Sequence, residues 1–300
     1  MTNALGFEAT YSAIRDGVVG MIVPTEVVRV AGPDALSYLQ GQVSQDLDPV
    51  AIGGSVEALV LSPQGKLDAF VRVARTGEDE ALVVVDDGFG EALFERLRIF
   101  KVRVKADLEL VHSKAVVVRG TGAKVPDHPH AAAVLEVDYP GYSGFDLVGP
   151  DVALPEGVPA GDALGFEVAR IEAGEPAMGR EITERTIPQE AGIVGRTVSF
   201  TKGCYTGQEL VARIEARGNR VPRRLVGIVV AGDGVVAADA LVREGKDVGS
   251  VTSSAFSPRT NGVVALGYLR REVEVPGELE VVHDGSALAA SVLALPLYGA

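Results

Sequence analysis

Tryptophan is absent from the 300 residues, cysteine occurs once and histidine four times, and aromatic side chains make up only 5% of the chain. One cysteine excludes an internal disulfide framework and any all-cysteine metal or cluster site within a single chain, so a reducing compartment is expected. The four histidines, His112, His128, His130 and His283, show no helical metal spacing, and His128-Pro129-His130 in a proline-rich stretch reads as surface; no metal site is assigned. No run of about 18 apolar residues occurs, and Met1 to Asp16 lacks a basic segment followed by an apolar core, so the expected location is cytoplasmic with no membrane partner. A Walker A pattern and a G-x-G-x-x-G following a strand are both missing, which argues against nucleotide cofactors. Positive charge is also in deficit. The net charge of −13 opposes sequence-independent binding to phosphate backbones, and nucleic acid is not an expected direct partner.

What is present is a globular chain, 47% hydrophobic, long enough for about two or three domains. Val27 to Val30 reads as a strand, and Gly32-Pro33-Asp34 opens a short helix with proline first. From Ser55 to Val111 the order is strand (Val56 to Leu61), Ser-Pro-Gln-Gly turn, strand (Leu67 to Val73), strand (Ala81 to Val85), helix (Glu91 to Phe100) and strand (Val102 to Leu110). This looks like a self-contained α+β unit. Gly120 to Pro129 and Gly149 to Gly161 are loops, with a strand at Ala132 to Val137 between them. Asp162 caps a helix in which Leu164, Val168 and Ile171 recur at helical spacing, ending near Gly174. Beyond Arg224 short β runs alternate with Gly and Asp, as in a small C-terminal β-barrel.

The densest chemistry lies in Lys202-Gly203-Cys204-Tyr205-Thr206-Gly207-Gln208-Glu209. Thr206 and Glu209 have capping-box spacing, which makes Thr206 the expected N-cap of a helix carrying Leu210, Val211 and Ile214, with Gly218 as its stop. Cys204 then stands just outside the positive helix end and two residues after Lys202, an arrangement that favours thiolate over thiol. A lone intracellular cysteine is otherwise a small buried hydrophobe.

Three stretches together resemble the YgfZ family of folate-binding, iron-sulfur-related proteins. They are Gly41-Gln42-Val43-Ser44-Gln45-Asp46, Arg170-Ile171-Glu172-Ala173-Gly174 through Pro188-Gln189-Glu190, and the Lys202 to Glu209 motif. The chain is also similar to the glycine cleavage T-protein, a tetrahydrofolate-dependent aminomethyltransferase. The resemblance implies an α+β fold of three domains around a central opening. Residues 1–50 plus 112–220 would form a split folate-binding domain, 51–111 an inserted ferredoxin-like unit, and 221–300 the barrel.

By the same resemblance tetrahydrofolate or a derivative is the cofactor, and Glu172, in the Arg-x-Glu-Ala-Gly stretch, is the carboxylate that holds the pterin ring. A carboxylate suits that ring because it accepts paired N–H donors. On residue type alone Glu172 reads equally as a carboxylate bridged to Arg170 or Arg180. An anionic polyglutamate tail would need a local positive patch, which Arg213, Arg217, Arg220, Arg223 and Arg224 supply; the same arginines also read as a solvated face. Without tryptophan any stacking platform falls to residues such as Tyr205 or Tyr142. The folate-contacting set expected is Glu172, Tyr205, Gln208, Glu209, Arg213 and Arg217, with Cys204 and Lys202 as the reactive pair. T-proteins carry paired aspartates where this chain has the single Asp68, and lack the Cys204 motif. The expected function is therefore an accessory role in iron-sulfur cluster assembly or repair, with assembly or client proteins as partners and effects on cluster-dependent enzymes including those that modify tRNA. The alternative is a folate-dependent aminomethyltransferase or other one-carbon transferase.

Overall fold

Helix α1 (Phe7–Asp16) and strand β1 (Val19–Ala31) open the computed structural model, which describes residues 4–128, 130–232 and 234–298. They are followed by α2 (Ala35–Gln42), β2 (Ser55–Leu61), β3 (Leu67–Arg75), β4 (Glu80–Asp86), α3 (Gly90–Phe100), β5 (Asp107–Arg119), β6 (Ala133–Val137), β7 (Gly144–Gly149) and α4 (Ala163–Ala173). Then come α5 (Val194–Thr197), α6 (Gln208–Ala216) and six strands, β8 (Arg223–Val230), β9 (Ala240–Arg243), β10 (Lys246–Ser257), β11 (Gly262–Arg270), β12 (Gly277–His283) and β13 (Ser286–Leu293).

The first seven strands make one antiparallel sheet in the order β2-β3-β4-β1-β5-β7-β6. The strands of residues 51–111 thus do not close on themselves: β4 and β5 both pair with β1, which holds the two halves of the sheet together. The last six strands form a closed barrel, β10-β11-β8-β13-β12-β9, as the short β runs after Arg224 suggest.

Successive residues of a strand face opposite sides, and β1 feeds two cores. Val28 and Val30 pack with α2, α3, Tyr205 and Val211, whereas Val19 and Val27 pack on the other face with Phe166 and Ala169 of α4. α4 also presents Val168 and Ile171 to Leu225, Val264 and Leu266 of the barrel. Wedged between sheet and barrel, it is buried from Gly165 to Ala173 except at Glu167. Its ends follow the sequence reading: the Asp162 side chain accepts from Leu164 N at 2.9 Å, and Gly174 closes the helix at φ 77°.

Several boundaries move. β1 starts at Val19, because pairing along all thirteen residues with β5 overrides its mixed pattern. α2 begins at Ala35 instead of Pro33, since the Asp34 carboxylate accepts from Lys105 N and does not cap. The strand expected from Val102 starts at Asp107, after Arg103 takes a left-handed conformation. β7 lies where the sequence reading assigned no element, between the expected strand ending at Val137 and the loop from Gly149. Pro129, at the end of one expected loop, lies outside the described residues.

Arg170, on α4, ties these layers together with all its donors used. It bonds both oxygens of Glu167 (3.0 and 2.7 Å), the Glu175 carbonyl (2.6 Å), Glu181 (3.1 Å) and Ser253 Oγ of β10 (3.0 Å). Glu181 is fully buried and also accepts from Ala177 N, Thr252 and Ser253. Arg170→Ala should therefore lower stability by about 3–5 kcal/mol in urea denaturation, because it strands a buried carboxylate. Arg170→Lys should recover little of that loss, since one ammonium cannot reproduce the fork.

Candidate functional site

A cavity of about 560 Å³ opens on the α4 face of the sheet. Its floor follows strand alternation: Met21, Val23 and Thr25 from β1, and Ala115, Val117 and Arg119 from β5. β3 contributes Phe70 and Arg72, β7 contributes Asp146, and the segment just after α4 contributes Glu175, Pro176 and Ala177.

Charge in the wall is organised around Asp146, which is 1% exposed. Arg72 pairs with one oxygen and Arg119 Nη1 donates to the other at 2.6 Å. Burial by itself would raise the Asp146 carboxyl, but Arg119 and Arg72 outweigh it and hold the group below its ordinary value. Burial likewise works against the Arg119 charge, and Asp146 more than offsets it. Arg119 also lies over the Tyr142 ring, 4.7 Å from its centroid. Its Nε is buried without a hydrogen-bond partner. Glu175 is half-buried, and burial raises its carboxyl against the opposing pull of Arg119 and Arg72.

Of the residues nominated from sequence, Tyr142 lines this cavity, while Cys204, Lys202, Glu172, Tyr205, Gln208, Glu209, Arg213 and Arg217 do not. Glu172 sits on α4 but borders a second, smaller cavity of about 360 Å³ with Arg15, Arg259 and Tyr298. Its oxygens pair with Arg15 and accept from Tyr11 (3.0 and 3.1 Å) and Ser257 Oγ (2.6 Å). The partner is thus Arg15, and neither Arg170 nor Arg180, both of which turn to Glu167.

The Cys204 segment packs on the other face of the sheet. Cys204 is exposed, while Tyr205 is buried among the α2 and α3 side of the core, which pushes its phenol up to about 12. Lys202 Nζ donates to the carbonyls of Gln40 (2.8 Å), Val43 (2.9 Å) and Gln45 (2.7 Å), with Gln40 Oε1 at 3.3 Å. Its three N–H groups are all taken up in pinning the segment to the end of α2. Burial pushes this ammonium down to about 8, with Asp46 and Asp48 opposing.

The expected Thr206 capping box does not form. α6 starts at Gln208, and its N-cap is Gly207 at φ 81°, with no side-chain bond. A Cβ there would lie 2.5 Å from Ser62 O, so close approach to the β2–β3 turn dictates glycine and displaces the cap. The Gly218 stop does form, with Gly218 N bonded to Glu215 O and Asn219 N to Ile214 O. Gln208 Oε1 accepts from Tyr205 N at 3.3 Å, and Glu209 is exposed. Arg213, Arg217 and Arg220 line a surface hollow with Leu210 and Ile214. Asp68, exposed, pairs with Arg96 at 3.0 Å and does not reach the cavity. No group of three or more His, Cys, Asp or Glu that could hold a metal occurs among the described residues.

Against this geometry, the solved glycine cleavage system aminomethyltransferase T of Bartonella henselae superposes with a TM-score of 0.82, covering 96% of this chain and 88% of that one at 22% identity. The chain has the aminomethyltransferase fold. Within that fold, residues 223–299 match the glycine cleavage T-protein C-terminal barrel domain. An aminomethyltransferase of Nostoc is 28% identical over 280 residues, covering 92% of this chain. The chain spans only 58% of the length of that relative. An uncharacterized protein of Haemophilus influenzae is 29% identical over 197 residues, 64% of this chain and 67% of its own. No helix among the described residues is long and apolar enough to cross a membrane.

The residues that sequence reasoning missed are Arg72, Arg119, Asp146 and Glu175. Arg72 stands in a strand that reads as ordinary alternation and Arg119 lies beyond the strand expected to end at Leu110, and only the folded sheet brings them to Asp146. The placement of Lys202 and Cys204 has a direct consequence. Lys202→Met, which leaves three carbonyls without their donor, should cost about 1–3 kcal/mol in thermal or urea unfolding. Cys204→Ser, at an exposed position, should stay within about 0.5 kcal/mol of wild type.

Proposed function

We propose that this protein binds tetrahydrofolate or a derivative in the central cavity and serves as an accessory factor for iron-sulfur cluster assembly or repair, with Cys204 as its working thiol. The observation that carries the folate part is the cavity itself. Its volume of about 560 Å³ falls in the usual range for small-molecule sites. It combines an apolar floor with a buried Arg119 Nε that has no partner and the half-buried carboxyl of Glu175, polar groups that a heterocyclic ligand can satisfy. Phe70 offers an aromatic surface in the same wall. The folate would supply a one-carbon carrier or act as a ligand that sets the conformation; the side chains named here would bind and orient it and keep water from its ring.

The thiol part rests on Cys204 being exposed in a segment pinned by Lys202. A single accessible thiolate can ligate iron or exchange with another thiol and then release, because it cannot complete a stable site alone. It lies on the opposite face of the sheet from the cavity, so on this reading the thiol meets a partner protein and not the pterin. Iron-sulfur assembly or client proteins, including enzymes that modify tRNA, are the proposed partners.

The second reading, a folate-dependent aminomethyltransferase or other one-carbon transferase, is favoured by relatives named aminomethyltransferase that match about nine-tenths of the chain. Such an enzyme needs an acid or base at the folate. Asp68, tied to Arg96 outside the cavity, is badly placed for that role.

The two readings separate in cells lacking the protein. The specific activity of a labile [4Fe-4S] enzyme should be restored by wild type and not by Cys204→Ala at matched expression. Equal rescue by both would remove the thiol from the account, and no rescue by either would leave one-carbon transfer as the better reading.

A further inference from the structure

Among the carboxyls lining the central cavity, most have their oxygens engaged. Asp146 is held by Arg72 and Arg119, Glu167 by Arg170 and Arg180, and Glu57 by Arg196. Asp86, at an exposed strand end, receives Met178 N at 3.4 Å, and Asp87 next to it has no protein partner among the described residues but is exposed to solvent. Glu175 is different. Its carboxyl is half-buried in the wall and makes no hydrogen bond or ion pair among the described residues.

Its backbone, by contrast, is clamped. Glu175 N donates to Arg170 O at 3.1 Å, its carbonyl accepts from Arg170 Nη1 at 2.6 Å, and Pro176 restricts it further from the C-terminal side. A rigidly presented, half-buried carboxyl without a protein partner, raised above its ordinary value by burial, is left open to a ligand. Such groups concentrate at functional sites. A second, independent deficit lies in the same wall: Arg119, 3% exposed, leaves its Nε–H unpaired. The cavity therefore lacks a donor pair for one carboxyl and an acceptor for one guanidinium N–H.

We infer that Glu175 is the specificity-determining residue of the cavity, accepting the adjacent ring N–H and exocyclic amino group of a cyclic amide-amidine edge while Arg119 Nε donates to an acceptor of the same heterocycle. The inference rests on the folate reading and deepens it, because a 2-amino-4-oxo-pteridine carries both complements on one ring system. It assigns to Glu175 the role that the Arg-x-Glu-Ala-Gly resemblance gives to Glu172, whose oxygens are taken by Arg15, Tyr11 and Ser257.

Calorimetric titration of the full chain with pterin and with lumazine, which has oxygen in place of the 2-amino group, tests it. 5-Formyltetrahydrofolate serves as the reduced-folate probe. Wild type should prefer pterin. Glu175→Gln should bind pterin and 5-formyltetrahydrofolate about 10- to 100-fold more weakly and lose the preference over lumazine, the range expected for a hydrogen bond to a charged group. Its melting temperature should be unchanged or higher, since a carboxyl without a partner is replaced by a neutral isostere, whereas a structural role would lower it. Glu175→Leu should behave like Glu175→Gln in binding. Unchanged pterin affinity in Glu175→Gln, with wild type binding normally, overturns the role of Glu175 and leaves the folate reading standing. No binding of any of the three ligands by wild type overturns both.

Discussion

The five hydrogen bonds of the Arg170 guanidinium are the constraint on which the arrangement of this protein rests. Apolar contacts bring α4 against both the sheet and the barrel, but such contacts are non-directional and do not fix how the helix is rotated or where the chain leaves it. Arg170 supplies that direction. It reaches back to Glu167, forward to the Glu175 carbonyl, and across to Glu181 and to Ser253 in the barrel, so one side chain sets the mutual position of three layers. A buried ion pair is weak evidence for net stability, because desolvation offsets most of its attraction. Its value here is geometric: every donor has a partner, and another rotation of α4 would leave the buried Glu181 without its cation.

A second constraint is the continuous sheet. Because β1 pairs along its length with β5 and over its second half with β4, its two faces separate two environments: a cavity with organised charge on one, and the Cys204 segment on the other. The two sites can be altered independently, since additivity is expected where sites share no partner. Any coupling between ligand and thiol would have to pass through the strands themselves.

Much of the architecture is legible in the sequence. The period-2 runs at residues 56–61, 67–73 and 81–85 are strands, the Asp162 to Gly174 helix has the ends that its capping residues dictate, and the short β segments close into a barrel. What sequence does not reveal is which strands neighbour which, and that determines the site. Arg72 and Arg119 are separated by more than forty positions; Arg72 looks like a solvent-facing member of its strand, and Arg119 lies past the strand expected to end at Leu110. Arg119 meets Asp146 because β5 pairs with β7, and Arg72 meets it because the sheet curls until β3 approaches β6 at the far end of the strand order. Lys202 and Thr206 fail as sequence signals for a related reason. Each has a local role that spacing suggests, and a tertiary contact outcompetes it: three carbonyls of the α2 end for Lys202, and the tight approach of Gly207 to the β2–β3 turn for Thr206.

Glu172 and Glu175 show how a single backbone position divides roles. Three residues apart on an uninterrupted helix, the two carboxylates would share a face. Gly174 interrupts it. At φ 77° it takes a left-handed conformation that L side chains rarely adopt, and a Cβ there would also meet Leu295 at 2.9 Å. The chain turns away at that residue, so Glu172 stays on the helix among α1 and the barrel, and Glu175 is carried onto the wall of the central cavity. The Arg-x-Glu-Ala-Gly stretch therefore ends in a glycine that decides which of the two acids is available to a ligand. The spare carboxyl is the one beyond the glycine, because the one before it is taken up by Arg15 and Tyr11 of α1 and Ser257 of the barrel.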